Sequence, residues 1–153
     1  MPHVGERAPL PGDGDPDGEA RGAAEAAAAT AAVEADVERL LAAHSAELQA
    51  IERALRVTIR SVFSDAVEQV DFGNKLIAFG RSMRMRDLQF AIIAHQTWVN
   101  LQLADGAVLP DPDGLIEGTG KRIRHVKIRS VEQASSGPVV ALIEAQLAAR
   151  PEA

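Results

Sequence analysis

Five basic side chains lie between Lys121 and Arg129, in a chain whose formal net charge is −6, and we call this segment the basic strand. No acidic residue lies between Gly118 and Val131. If this stretch is a strand, alternate side chains share a face, and the glycine-rich turn before it offers backbone N–H groups to an anion. The pattern predicts a phosphate or carboxylate site built from these candidates: Lys121, Arg124, His125 and Lys127. A solvated strand face that prevents edge-to-edge pairing is the alternative.

Three polar residues surround Gly73 between two predicted strands, namely Asp71, Asn74 and Lys75. They could offer a carboxylate and an amide to a polar ligand, although Asp and Asn are also common turn formers. The single tryptophan, Trp98, is predicted on the strand face opposite the core. There it could form the floor of a ligand groove, pack under a helix or contact a second copy of the chain.

Several kinds of chemistry lack the residues they need. The chain has no cysteine, which excludes disulfides, thiolate catalysis and cysteine-based metal sites. The four histidines predict no preformed zinc site, and no residue is assigned a catalytic role. Acids of the first helix could hold iron weakly through oxygen ligands or form a solvated face, so metal ligands stay unassigned. No cofactor is expected.

Charge and composition also restrict the partners. A net charge of −6 disfavours nucleic acid and anionic membranes, and four Phe, one Trp and no Tyr provide few platforms for base stacking. No apolar run approaches the length of a membrane-spanning helix. We therefore expect neither nucleic acid nor a membrane as partner, and a cytoplasmic location.

The first part of the chain changes character near residue 22. Residues 1–22 are rich in Pro, Gly and Asp and predict a disordered tail. Residues 23–63 contain no Gly or Pro and carry apolar residues at helical spacing, with an alanine-rich extension over 23–44. They predict one long helix or two, with a break at His44-Ser45. The domain is expected over residues 23–150, followed by a short tail at 151–153.

The segment Leu88 to Leu103 predicts a β-hairpin that organises the sheet. Its apolar residues alternate with polar or smaller ones, as in strands buried on one face. A turn at His95-Gln96 would place Ile92 opposite Val99, with Gln89 on the outer face.

The remaining segments complete a sheet with helices. Further strands are predicted at residues 66–72, 75–80 and 123–129, and a final helix between Ser136 and Arg150. The fold class is therefore α+β, with two layers: an antiparallel sheet of about five strands, and N-terminal and C-terminal helices on one face.

Three segments together resemble the YdhG-like family, a domain of unknown function. They are EQVDFGNKLIAFG at Glu68 to Gly80, the long segment Met85 to Ile128, and ALIEAQLAAR at Ala141 to Arg150. The resemblance implies a two-layer α/β fold similar to secretion chaperones. Part of the family is labelled an iron chaperone of frataxin type, so the resemblance also implies a ligand-binding or metal-binding module.

Three functions remain open at this point. The first is a non-enzymatic module of YdhG-like type that binds a small anionic ligand or iron. The second is an enzyme that acts on an anionic metabolite through the basic strand and Asp71. The third is a structural homodimer joined through the exposed sheet face.

Overall fold

The computed structural model describes residues 15–151. Two compact units follow each other along the described chain, the first ending at Ala32 and the second beginning at Val33. Helix α1 (Pro16–Leu41) begins in the first unit, where its described residues are rich in alanine, the strongest helix former, and none is buried.

Helix α1 begins earlier than the sequence predicted, so the disordered tail is wrong for residues 16–22. The Oδ1 atom of Asp15 accepts the backbone N–H of Asp17 (3.1 Å), and Pro16 occupies the first helical position, where its missing N–H is harmless. Asp17 and Glu19 lie in the positively polarised first turn. The rest of the predicted tail, residues 1–14, and residues 152–153 lie outside the described part of the chain.

The second unit is an antiparallel sheet with helices on one face, which confirms the predicted α+β class. The sheet has six strands rather than five, in the order β1-β2-β3-β4-β6-β5. The additional strand is β5, two residues long, in a segment for which the sequence predicted no strand. The elements after α1 are α2 (Ala46–Val62), β1 (Val67–Asp71), β2 (Leu76–Gly80), β3 (Leu88–Ala94), β4 (Val99–Leu103), β5 (Ile116–Glu117), β6 (Arg124–Ile128), α3 (Val131–Ala134) and α4 (Gly137–Ala149).

The helical segment breaks at the predicted position, between α1 and α2. Ser45 has an extended backbone and its side chain accepts the N–H of Leu48 (3.3 Å), which caps α2. His44 lies 2.7 Å from the carboxylate of Glu52, measured from Nδ1 to Oε1. Burial raises the pKa of the Glu52 carboxyl, against the opposing effect of the hydrogen bond with His44.

The apolar core lies between one sheet face and the helices. Alternate residues of the central strands are almost fully buried on this face, as the period of a strand requires. They pack with the apolar sides of α2 and α4 in one cluster, whose largest members include Phe79, Phe90, Ile92, Leu101, Leu55, Ile59 and Ile143. No helix within residues 15–151 combines the length and hydropathy needed to cross a membrane.

The hairpin of β3 and β4 has the predicted faces but a different register. Ala94 pairs with Val99 and Ile92 with Leu101, two residues away from the predicted pairs. The turn lies one residue later than predicted, at Gln96-Thr97, and is closed by the hydrogen bond from His95 N–H to Trp98 O (2.8 Å). The rings of His95 and Trp98 stack with centroids 5.1 Å apart. A slip of two residues keeps every side chain on its face.

A β-bulge at the start of β3 explains why Gln89 is not on the outer face. Phe79 pairs with Phe90 but Gly80 pairs with Leu88, so Gln89 is the extra residue. Its side chain is 1% exposed, and Gln146 of α4 donates through Nε2 to its Oε1 (3.0 Å).

An ion cluster joins α1, α2 and β1 on the helical side of the sheet. Arg56 donates twice to Glu68, through Nε (2.7 Å) and Nη2 (2.9 Å), and Nη2 also donates to Glu34 (2.7 Å). The side chains of Arg56 and Glu68 are 10% and 7% exposed. These hydrogen bonds raise the pKa of the guanidinium far above its ordinary value, with Glu68 making the larger contribution.

Candidate functional site

The sheet face opposite the helices is lined by two rows of side chains. Strand pairing places Gln69, Ala78, Ala91, Gln102 and His125 side by side in the first row. The same pairing gives the second row, which consists of Asp71, Leu76, Ile93, Asn100 and Lys127. We call this surface the open face.

A groove of about 920 Å³ crosses the open face between β1 and β4. The floor of the groove is formed by the paired residues Ala78 and Ala91, whose side chains are small. These two residues are 2% and 3% exposed. Gln69 and Gln102 flank them on the outer strands of the groove. Small residues between larger ones thus leave a depression in a sheet face.

The walls of the groove are apolar side chains from its borders. Met83 and Met85, on the loop between β2 and β3, are 68% and 84% exposed, and Ile123 is 54% exposed. The loop is held over β1 because Gln69 donates through Nε2 to the carbonyl of Met83 (3.3 Å). Exposed apolar side chains around a concavity are typical of binding surfaces.

Three arginines line one end of the groove, which we call the arginine end: Arg86, Arg122 and Arg150. Arg150 follows α4 and has a structural role. Its guanidinium donates to the carbonyls of Arg86 (2.9 Å) and Leu88 (3.3 Å) and to Asp105 (3.0 Å). Within residues 15–151 the Arg122 side chain makes one hydrogen bond, from Nη2 to Asp105 Oδ1 (2.8 Å), and it is 68% exposed.

Asp105 connects the arginine end to the core. Its Oδ2 atom and its backbone N–H both bond to the buried Gln146, at 2.8 and 2.7 Å. Burial opposes ionisation of the Asp105 carboxyl, but the hydrogen bonds from Arg122, Gln146 and Arg150 outweigh it and hold its pKa below the usual range.

This shift predicts a pH dependence of stability. A depressed carboxyl pKa contributes stability above the unfolded-state value, about 3.9 for aspartate, and that contribution is lost as the pH falls through the lower folded-state pKa. We expect the difference in unfolding free energy between wild type and Asp105→Asn to be largest near neutral pH and to shrink below about pH 4. Urea unfolding across that range measures it, and a pH-independent difference would contradict it.

The opposite end of the groove is acidic. Asp71 accepts the backbone N–H (3.1 Å) and the side-chain amide (2.7 Å) of Asn74. These bonds, the side-chain bond most, lower the pKa of the Asp71 carboxyl, so it stays ionised near neutral pH. Lys75 adopts a left-handed backbone with φ of 56° in this turn and does not line the groove.

Trp98 lies on the open face as predicted, but outside the groove. Its Nε1–H donates to Asn100 (2.9 Å), Lys127 Nζ lies 4.8 Å from the ring centroid, and Arg129 lies at 5.6 Å. These contacts already engage the indole and the basic groups around it.

The predicted basic residues do not form one site. Arg124 and Lys127 are three residues apart on β6, so they occupy opposite faces, and Arg124 Nε donates to the carbonyl of Gly120 (2.7 Å). His125 lies on the open face beside Gln102, and Lys121 is exposed before β6. The structure therefore divides these four candidates between the two faces of β6 and the segment before it.

No group of three or more metal-ligating side chains occurs within residues 15–151. The acids considered for iron are engaged otherwise: Glu34 accepts from Arg56, and Glu38 accepts from Arg53 at 2.6 and 2.9 Å. The structure thus offers these carboxylates as partners of arginine rather than as free ligands.

The sequence prediction found two groove residues, Asp71 and Asn74, and missed most of the lining. A signal was present in RSMRMR at Arg81 to Arg86, where apolar and basic residues alternate in a loop. Methionines exposed between arginines suit an apolar wall beside a cationic end.

Comparisons with protein-family models, with curated proteins and with solved structures find no match to this chain. The resemblance to the YdhG-like family therefore stays a prediction.

Proposed function

We propose that the protein is a non-enzymatic module that binds a small apolar ligand in the groove on the open face. The observation that carries the proposal is the groove itself, about 920 Å³ in volume, with an alanine floor and methionine walls. Ligand pockets commonly measure about 300–1,000 Å³ and are mainly apolar with a few polar groups. Flexible methionine side chains adapt to ligands of varied shape.

The groove lining supports binding over catalysis. Its lining residues include no histidine, serine or lysine, and the one carboxylate among them, Asp71, is bonded to the neighbouring Asn74. The enzyme hypothesis required Asp71 to act with the basic strand, and these groups lie apart. A YdhG-like role, including iron delivery, and a cytoplasmic location remain predictions from the sequence.

Binding of decanol, a neutral ten-carbon probe, tests the proposal. Each methylene withdrawn from water contributes about 0.8 kcal/mol, so affinity should rise about fourfold per added methylene from octanol to decanol. Isothermal titration calorimetry measures the two affinities. Absence of decanol binding would contradict the proposed function.

Ala91→Leu localises the binding. The larger side chain would project from the floor into the groove, so we expect decanol affinity to fall about tenfold or more, from the loss of two or more methylene contacts. The matched control is Ala148→Leu, the same change on the exposed side of α4. Unfolding curves of both variants confirm that they are folded, and unchanged affinity in Ala91→Leu would place the ligand elsewhere.

A second copy of the chain is the rival occupant of this surface. Sedimentation equilibrium over a range of protein concentrations distinguishes the two. A dimer that Met85→Ser dissociates, and that decanol does not disturb, would show that the open face joins copies of the chain.

A further inference from the structure

We propose that the ligand of the groove is a linear apolar molecule with an anionic head group, a carboxylate or a phosphate monoester, bound at the arginine end. This inference rests on the proposed function, because it assigns the polar end of the ligand that the groove is proposed to hold. It concerns two guanidiniums, those of Arg86 and Arg122.

These two guanidiniums have donors to spare. The Arg86 side chain is exposed and makes no hydrogen bond or ion pair within the described residues 15–151, although its carbonyl anchors Arg150. Among the residues that the structure describes, the Arg122 side chain donates one N–H, to Asp105. Arginine presents five N–H donors in a planar fork that matches carboxylate and phosphate oxygens.

The acidic group beside these arginines already accepts hydrogen bonds from three donors. Asp105 Oδ1 accepts from Arg122 and Arg150, and its Oδ2 accepts from Gln146. Asp87, on the loop with Arg86, has its Oδ2 2.6 Å from the Ser82 hydroxyl and does not line the groove. The three arginines therefore leave an excess of positive charge at this end.

The far end of the groove has the opposite charge and sets the orientation. Asp71 lines it and stays ionised near neutral pH, so an anionic group is repelled there and attracted at the arginine end. The groove crosses the strands β1 to β4, about 14 Å at the usual strand spacing. An apolar chain can thus extend along the alanine floor while its head group lies between the guanidiniums of Arg86 and Arg122.

Matched ten-carbon probes test the head group. Decanol, undecanoate and decyl phosphate each carry a ten-carbon alkyl chain, and we expect one or both anions to bind the protein about tenfold or more tightly than decanol at low salt. The tighter anion identifies the head group. The advantage should decrease with added salt, because the arginines are exposed, while decanol binding should not decrease.

The double variant Arg86→Gln/Arg122→Gln assigns the effect to the arginine end. We expect it to remove the advantage of the anions over decanol, with all affinities measured in the same variant. Arg84→Gln, on the same loop but outside the groove lining, should retain the advantage. Urea unfolding of each variant shows whether the fold is intact.

The outcomes separate the two proposals. If decanol binds but neither anion binds more tightly, or if the advantage survives in the double variant, the head-group assignment is overturned and the apolar groove stands. If decanol does not bind, the proposed function itself fails, and the assignment fails with it.

Discussion

Arg56→Met should lower the free energy of unfolding by about 3–5 kcal/mol, the range measured when one partner of a buried ion pair is removed. The variant keeps most of the aliphatic volume but leaves Glu68, whose side chain is 7% exposed, without its two short hydrogen bonds. Arg60 Nη1 also lies 3.4 Å from Glu68 Oε1, but the Arg60 side chain is half-exposed, so it replaces little of the lost interaction. Urea unfolding monitored by circular dichroism measures the change.

The same helix offers a control that differs mainly in burial. Arg53 also donates twice to one carboxylate, Glu38, but the two side chains are 45% and 56% exposed. Because solvent screens exposed pairs, Arg53→Met should cost less than about 1 kcal/mol. Equal losses in Arg53→Met and Arg56→Met would show that burial of the pair does not determine its contribution.

A double variant separates the loss of the ion pair from the cost of leaving the Glu68 carboxylate buried without a partner. Replacing Glu68 by Met as well removes the buried carboxylate, so Arg56→Met/Glu68→Met should regain part of the stability lost in Arg56→Met. A double variant less stable than Arg56→Met would instead assign the loss to packing.

The sequence predicts the sheet faces better than the strand register. Apolar alternation identifies Leu101 and Ile92 as core residues, but a register displaced by two residues satisfies the same alternation. The stacking of His95 on Trp98 lies across the shifted turn, and the alternation of apolar residues does not encode it. Gln89 was assigned to the wrong face for a similar reason, since a bulge reverses the alternation that the assignment assumes.

The candidate site was less predictable than the fold because it is assembled from distant segments. Turn chemistry identifies Asp71 and Asn74. The rest of the groove lining comes from distant segments, including the loop with Met85 and the residues Arg122 and Arg150. Arg150 follows a helix on the core side, and only the tertiary structure shows that it reaches the loop carbonyls. A cluster of bases in sequence, by contrast, is divided between two faces once it forms a strand.

The separation of core and groove along β4 gives the last prediction. Leu101 is fully buried, and Leu101→Ala should lower the free energy of unfolding by about 2–5 kcal/mol through lost apolar burial and the cavity left behind. Its neighbour Gln102 lines the groove and makes no side-chain hydrogen bond within the described chain, so Gln102→Ala should change stability by less than about 0.5 kcal/mol.

Binding should distinguish the two variants in the opposite sense. Leu101 lies on the core side of the sheet, so the folded fraction of Leu101→Ala should bind decanol with nearly wild-type affinity, whereas Gln102→Ala enlarges the groove next to its floor and should alter that affinity. Urea unfolding and calorimetry on the same preparations measure both quantities. Similar stability losses in the two variants would mean that the strand faces are reversed, and the groove would then lose its floor.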